Sequence, residues 1–435
     1  MFPTDAISSF HQLILTFACC FSRPTAQSFA TVAWGWVSCL GRRTLTHVVS
    51  CAGQRAGKHV ASYNRFFSKA SWSLEEVWRV LLVQILLPIL SSTGLVEIAV
   101  DDTTAQRWGR SIAYAGWFRD AARSTRTHDV VHWAHNWIVA CLLIRLPFWP
   151  TRVLSLPICA VLFRREDDCK DGVVFKTRLE LALEMIRKVR EWIPEREIRV
   201  VADGAYASRE IIRLLPERVH FVARLRRDAA LNELPPAKRP KGYKGRPRLK
   251  GLRLGTLADM AKNAAFRSVF IVQYGRKRKR LVHSFVALWY HVAKGTPLRI
   301  VIVRDPQGKQ RDDFFFTTDV KMSPTEVATL YAARWGIEEC FREAKQLMGF
   351  ESVHGWTAKT VERQAPFALL MLSLVKVAHV RLRTNQRTET LPPLHSMLLD
   401  LRLAEWRHHI SCLSLSKEDM RLIEERLAAA LASAA

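Results

Sequence analysis

The sequence predicts an α/β protein, with a sheet near its centre and largely helical regions at both ends. Three observations carry that expectation. Two short apolar runs rich in β-branched residues, Val96–Val100 and Ile198–Val201, end in or beside aspartates, as buried strands do when they deliver acids to a sheet edge. Between 96 and about 223 strand-like runs alternate with a helical pattern. Residues 1–95 and 346–435 carry helical periodicity. At 435 residues the chain can bury a large core and divides into a few units. The expected units are 1–95, a core in two parts at 96–223 and 311–385, an intervening β-rich segment at 224–310, and a helical end at 386–435.

In chain order, the first 95 residues read as helices, with Ser73-Leu-Glu-Glu76 forming a capping box before Trp78, Leu81 and Leu82. Arg42, Arg43, Arg55, Lys58 and Arg65 give this region a basic face, suited to DNA ends or simply to solvent. The strand from Val96 reaches Asp101 and Asp102, followed by Thr103-Thr104. Trp137–Leu146 and Val153–Phe163 are further strands, and Phe175, Leu179, Leu183, Ile186 and Val189 mark a helix. The next strand ends at Asp203-Gly204, a short helix runs from Ser208 to Pro216, and His220–Leu225 is strand-like. His128, His132 and His135 have helical zinc-ligand spacing, but Val130-Val131 and the Trp137 strand favour an extended segment that splits them between faces.

The segment that follows is basic. Lys238–Arg253 holds eight cations and no acid, among them Lys241, Lys244, Arg246, Arg248 and Lys250, and its glycines and prolines make it a loop. Strand-like runs Phe266–Tyr274 and Leu281–Tyr290 flank a second basic run, Gly275–Arg280, read as their connecting loop. Further on, Leu369–Val380 is a long buried helical run, and the tail from Ser416 is amphipathic and alanine-rich.

The richest pattern begins at Ser323-Pro324-Thr325-Glu326, an N-cap serine, a first-turn proline and a capping-box glutamate. On the helix it opens, Tyr331, Arg334, Glu338 and Lys345 fall within an arc of roughly 60°. Leu330, Ala333, Ile337, Cys340, Phe341 and Ala344 form the apolar face beside them, and Ala332, Glu339, Arg342, Glu343 and Gln346 face water. Gly336 is a weak point in the middle and Gly349 a stop. The plain alternative is an amphipathic helix with an Arg334–Glu338 ion pair at i,i+4.

Tyr331, Arg334, Glu338 and Lys345 reproduce a Tyr-x2-Arg-x3-Glu-x6-Lys signature, and in this the chain resembles bacterial insertion-sequence transposases with a DDE triad. The Asp101-Asp102 segment resembles that family's first catalytic aspartate, with Asp102 the favoured residue and Asp101 the alternative. Asp203, in its Asp-x-x-Tyr206 setting, resembles the second. The resemblance implies a ribonuclease H-like core in which Asp102, Asp203 and Glu338 hold two Mg²⁺ ions, with Mn²⁺ as a substitute. Such a pair activates the attacking oxygen and stabilises the leaving one. It further implies that Tyr331, Arg334 and Lys345 grip phosphates, and that the inserted basic segment touches DNA. The partners implied are terminal inverted repeats and target DNA, bound by a homodimer. Two rivals are a DNA-binding protein that has lost catalysis and a metal-dependent nuclease without strand transfer. An aromatic from the insertion stacks on a displaced base in some relatives; Trp289 is a candidate here.

Composition agrees. A net charge of +26 points to a polyanionic partner. Nine cysteines at irregular spacing, with no Cys-x-x-Cys, read as reduced thiols of an intracellular protein, neither a disulfide framework nor a zinc site. No P-loop, dinucleotide fingerprint, membrane span or export signal is expected from the sequence.

Overall fold

The computed structural model describes residues 5–90, 94–120, 123–125, 127–147, 149–170, 172–236, 246–352, 354–383, 391–411 and 416–433. Five helices come first: α1 (Asp5–Thr16), α2 (Arg23–Ser38), α3 (Leu45–Cys51), α4 (Val60–Ser68) and α5 (Leu74–Val80). Ser73 caps α5 by accepting from the Glu76 amide, as expected. Glu76 then turns to Arg79 rather than back to the cap.

The sheet follows. Its strands are β1 (Val96–Gln106), β2 (Gly116–Arg119), β3 (Val131–Ile144), β4 (Leu154–Phe163), β5 (Ile198–Ala202), β6 (Val219–Arg224), β7 (Arg267–Gln273), β8 (Arg276–Ala287), β9 (Leu298–Arg304) and β10 (Asp313–Thr317). The interspersed helices are α6 (Arg178–Trp192), α7 (Arg209–Ile212), α8 (Leu257–Lys262) and α9 (Tyr290–Ala293). The chain closes with α10 (Pro324–Ala333), α11 (Trp335–Gln346), α12 (Ala358–Arg383), α13 (Leu394–Ser411) and α14 (Lys417–Ser433).

Long β3 pairs antiparallel with β1 on one side and with β4 and β2 on the other, while β5 and then β6 lie parallel to β1. The order β4-β3-β1-β5-β6, three antiparallel strands followed by two parallel ones after a crossover helix, is that of the expected ribonuclease H-like core. β1 and β5 over their first residues, and β3 from Trp137 to Ile144, are almost wholly apolar because helices cover the sheet. The same sheet continues through β10, which pairs with β6, and then takes in the strands of the inserted segment, β9, β8 and β7 in order.

Two differences from expectation have physical reasons. Arg276–Lys279 form the start of β8 rather than a loop, since Tyr274 and Gly275, both at positive φ, make the hairpin turn on their own. The basic side chains therefore stand on a strand. Trp289 is buried at 6% exposure against Phe316, so it is a core residue unable to meet a base.

The N-terminal helices pack on α12 and α13 through an aromatic cluster in which Phe29, Trp36 and Phe67 surround Phe367. Most of this region's basic face is consumed internally. Arg43 is buried on the Trp36 and Cys39 carbonyls, Arg55 pairs with Glu405, and Lys58 binds the Pro24 carbonyl; only Arg42 and Arg65 are exposed. Helix α12 is long and apolar enough to cross a bilayer by length, but 89% of its apolar window is buried inside the protein.

Candidate active site

Strand alternation decides which acid goes where. β1 and β5 are parallel neighbours with Val100 opposite Ala202, so Asp101, midway along β1, and Asp203, just past the end of β5, follow one step on side by side. Asp203 is the N-cap of a single 3₁₀ turn, Gly204–Tyr206. Above them cross α10 and α11, whose junction is Arg334. The expected helix thus forms as two segments. The capping box is complete, with Ser323 accepting from the Glu326 amide and Glu326 reaching back, and Gly349 takes the positive φ of a stop.

Arg334 is the hub. Its guanidinium donates to Asp101 Oδ2 at 2.6 Å and to Glu338 Oε1 at 2.8 Å, holding two carboxylates from distant parts of the chain on one planar cation. Tyr331, one turn earlier, places its hydroxyl 3.5 Å from Asp203 Oδ1, and its ring packs on Phe315 at 4.3 Å. The structure therefore brings Asp101, Asp203, Tyr331, Arg334 and Glu338 together. The apolar face beside them is buried as expected at Leu330, Ala333, Ile337, Cys340, Phe341 and Ala344.

Asp102, the residue favoured from sequence, faces the other way. Its carboxylate accepts from Asn136 Nδ2 at 2.8 Å and from Tyr206 at 3.2 Å. Successive side chains on a strand point to opposite faces, so only one of the pair can reach Arg334, and that one is Asp101, the alternative, rather than Asp102. The Asp-x-x-Tyr206 spacing is thereby explained: Tyr206 braces the neighbouring strand rather than the Arg334 cluster.

Lys345 lies two helical turns beyond Glu338, half-buried; burial lowers its ammonium's pKa, opposed by nearby Glu351 and Asp120. Arg246, Arg248 and Lys250 are exposed on their loop, Lys250 over the Tyr290 ring at 5.1 Å. Lys241 and Lys244 lie outside the described residues. Glu343, read as water-facing, pairs with buried Lys376 at 2.6 Å. His135 is fully buried between Arg107 and the Ala113 carbonyl, and His132 sits near Asp120, so the histidines are split as expected.

Electrostatics mark Asp101 as the strained member. Burial raises its carboxyl to about 7, Arg334 opposes that rise, and the charges of Asp102 and Asp203 add to it. Burial likewise pushes the Tyr331 phenol up to about 12, so it stays a donor. A half-buried cluster of three acids with one guanidinium is short of positive charge, and its donors are all carboxylate oxygens. That set suits a hard divalent cation and not a soft one.

A family model for DDE superfamily endonucleases matches residues 16–281, more than half of the chain. The chain belongs to this family. No curated protein matches it. Within this DDE endonuclease the matched span contains Asp101, Asp102 and Asp203, and it ends before α10 and α11. The Glu338 helix thus rests on the geometry above.

Proposed function

We propose that this DDE endonuclease is a transposase, which cuts DNA at the ends of its element and joins the exposed 3′-OH to a target. Asp101, Asp203 and Glu338 would hold the metal ions, and Tyr331, Arg334 and Lys345 would handle phosphates. The observation that carries the reading is the single guanidinium of Arg334 drawing Asp101 and Glu338 together one turn from the Tyr331–Asp203 contact. Two Mg²⁺ ions bound there would activate the attacking oxygen and neutralise charge on the leaving one. The protein's own groups do the rest. Once metal ions take over its carboxylate partners, Arg334 would turn to a phosphate oxygen, presenting two parallel donors. Tyr331, neutral at any physiological pH, donates to a phosphate oxygen beside Asp203. Lys345, two turns along α11, meets the backbone farther from the cut. Terminal inverted repeats and a homodimer on DNA belong to this reading, since two ends need two sites.

The test is a gel assay on a terminal-repeat duplex with Mg²⁺, scoring nicked and joined products separately. Wild type should give both. Glu338→Gln should abolish both while changing DNA affinity less than about threefold, a shift below about 1 kcal/mol. Nicking without joined products would leave a nuclease; equal loss of binding and cleavage in the variant would remove Glu338 from the metal site.

A further inference from the structure

The irregular cysteine spacing that argued against zinc conceals a cluster assembled by the fold. Cys39 terminates α2, and the next helix, α3, carries His47 in its first turn and Cys51 at its end. His47 and Cys51 are four residues apart, so they share one face of α3. The sulfurs of Cys39 and Cys51 and a ring nitrogen of His47 all lie within 4.8 Å of one another, with His47 Nδ1 3.6 Å from Cys39 Sγ.

The surroundings hold these atoms in place. Thr44 caps α3 by accepting from the His47 amide, fixing the turn that aims the imidazole. The Cys39 carbonyl takes guanidinium hydrogen bonds from Arg402 at 2.8 Å and Arg43 at 3.3 Å, which pin the end of α2 and set two cations behind the cluster. Cys39 is fully buried and His47 exposed, so the cluster has a protein side and a solvent side.

We propose that Cys39, His47 and Cys51 form a site for one soft-accepting divalent cation of the zinc class, with its fourth position open to water. Two thiolates and an imidazole are the donors zinc prefers, and at bond lengths of about 2.3 Å to sulfur and 2.0 Å to nitrogen they sit about 3.5 Å apart. The cluster needs only modest side-chain rotation to contract to that. Binding releases the two thiol protons to solvent and leaves a neutral ZnS₂N unit. The site differs in kind from the all-oxygen Asp101–Asp203–Glu338 cluster, so the two sort metals by hardness. Its consequence is local. The ion would staple the end of α2 to α3 and so fix the loop carrying Arg42, which lines a cleft of about 270 Å³ with Arg107, Trp108 and Trp356.

The test uses the full chain, purified without a polyhistidine tag and kept reduced, titrated with Co²⁺. The expected result is a thiolate-to-cobalt charge-transfer absorption saturating at one equivalent, displaced by Zn²⁺ and untouched by excess Mg²⁺. Cys39→Ser with Cys51→Ser should abolish the band. His47→Gln, at an exposed position that leaves the helices intact, should weaken Zn²⁺ binding about tenfold or more, and Cys19→Ser should change nothing. Absence of the band in the wild type, its persistence in the variants, or a Cys39–Cys51 disulfide that Zn²⁺ does not prevent would each overturn the proposal.

Discussion

Asp101 and Asp102 sit side by side on β1 yet meet opposite chemistry. Asp101 is half-buried against Arg334, with Asp203 just past the end of the neighbouring strand, and its carboxyl is held up at about 7. Asp102 is braced by two neutral donors, Asn136 and Tyr206, on the other face. A carboxylate held by an amide and a phenol is a strand brace; one held by the Asp102 backbone amide and a cation shared with Glu338 is positioned to exchange that cation for a metal. Asp101→Asn should therefore cut the rate of Mg²⁺-dependent nicking by about 10³ or more, some 4 kcal/mol of barrier. Asp102→Asn should cost less than about tenfold, because an amide can still accept from Tyr206. Single-turnover rates on the same duplex check both, and reversed effects would return the role to Asp102. Sequence could narrow the first acid to this pair and no further. The two aspartates have the same neighbours in the chain, and the face each occupies is set by the pairing of β1 with β3 and β5.

At the scale of elements, the position of Glu338 depends on how closely α11 approaches the sheet. Gly336 makes that approach. A Cβ built there would stand 3.0 Å from the Ser155 Cβ on β4, so the helix lies almost on the strand. The residue that looked like a weak point in a helix is a packing requirement. Gly336→Val should destabilise the fold by about 1–3 kcal/mol through overpacking, read as a lowered thermal midpoint. The same push displaces Arg334 and Glu338, so nicking should fall further than the fraction unfolded explains; a variant whose activity tracks its folded fraction would refute that coupling. The capping box, the apolar stripe of α10 and α11, and the strands β3, β4 and β5 were legible because each is written in local periodicity. What escaped depended on distant partners. Glu343 looked solvated until Lys376, on α12, came to meet it, and Arg43 looked like a DNA contact until it was found buried on the Cys39 carbonyl. Arg276–Lys279 looked like a loop because charge hides a strand whose register is fixed by its partner.

Over the whole molecule, the positive charge is unevenly available. Of the N-terminal cations singled out from sequence, only Arg42 and Arg65 are exposed, whereas Arg276, Lys277, Arg278 and Lys279 all are. These four sit at the tip of the β7–β8 hairpin, and that tip is anchored beside the site: Tyr274 packs edge-on against Trp335 at 5.8 Å, the residue next to Arg334. A second accessible group, Arg246, Arg248 and Lys250, rides on a loop from which Lys250 reaches over the Tyr290 ring of α9. Each cation that neutralises a phosphate releases condensed counterions, so its loss reduces the slope of log affinity against log salt by about 0.9. A rigid hairpin tip beside the reacting strand should keep most of its contacts, and an open loop fewer. Replacing Arg276, Lys277, Arg278 and Lys279 by Gln should therefore flatten the salt dependence of DNA binding more, per cation removed, than replacing Arg246, Arg248 and Lys250. Because the contacts would be to backbone, both variants should lose affinity equally for terminal-repeat and unrelated duplexes. Fluorescence anisotropy across a salt series on the two duplexes measures slope and specificity together. An unchanged slope in the hairpin variant would show that its charge merely faces solvent, and a loss confined to terminal-repeat DNA would make it a base reader instead.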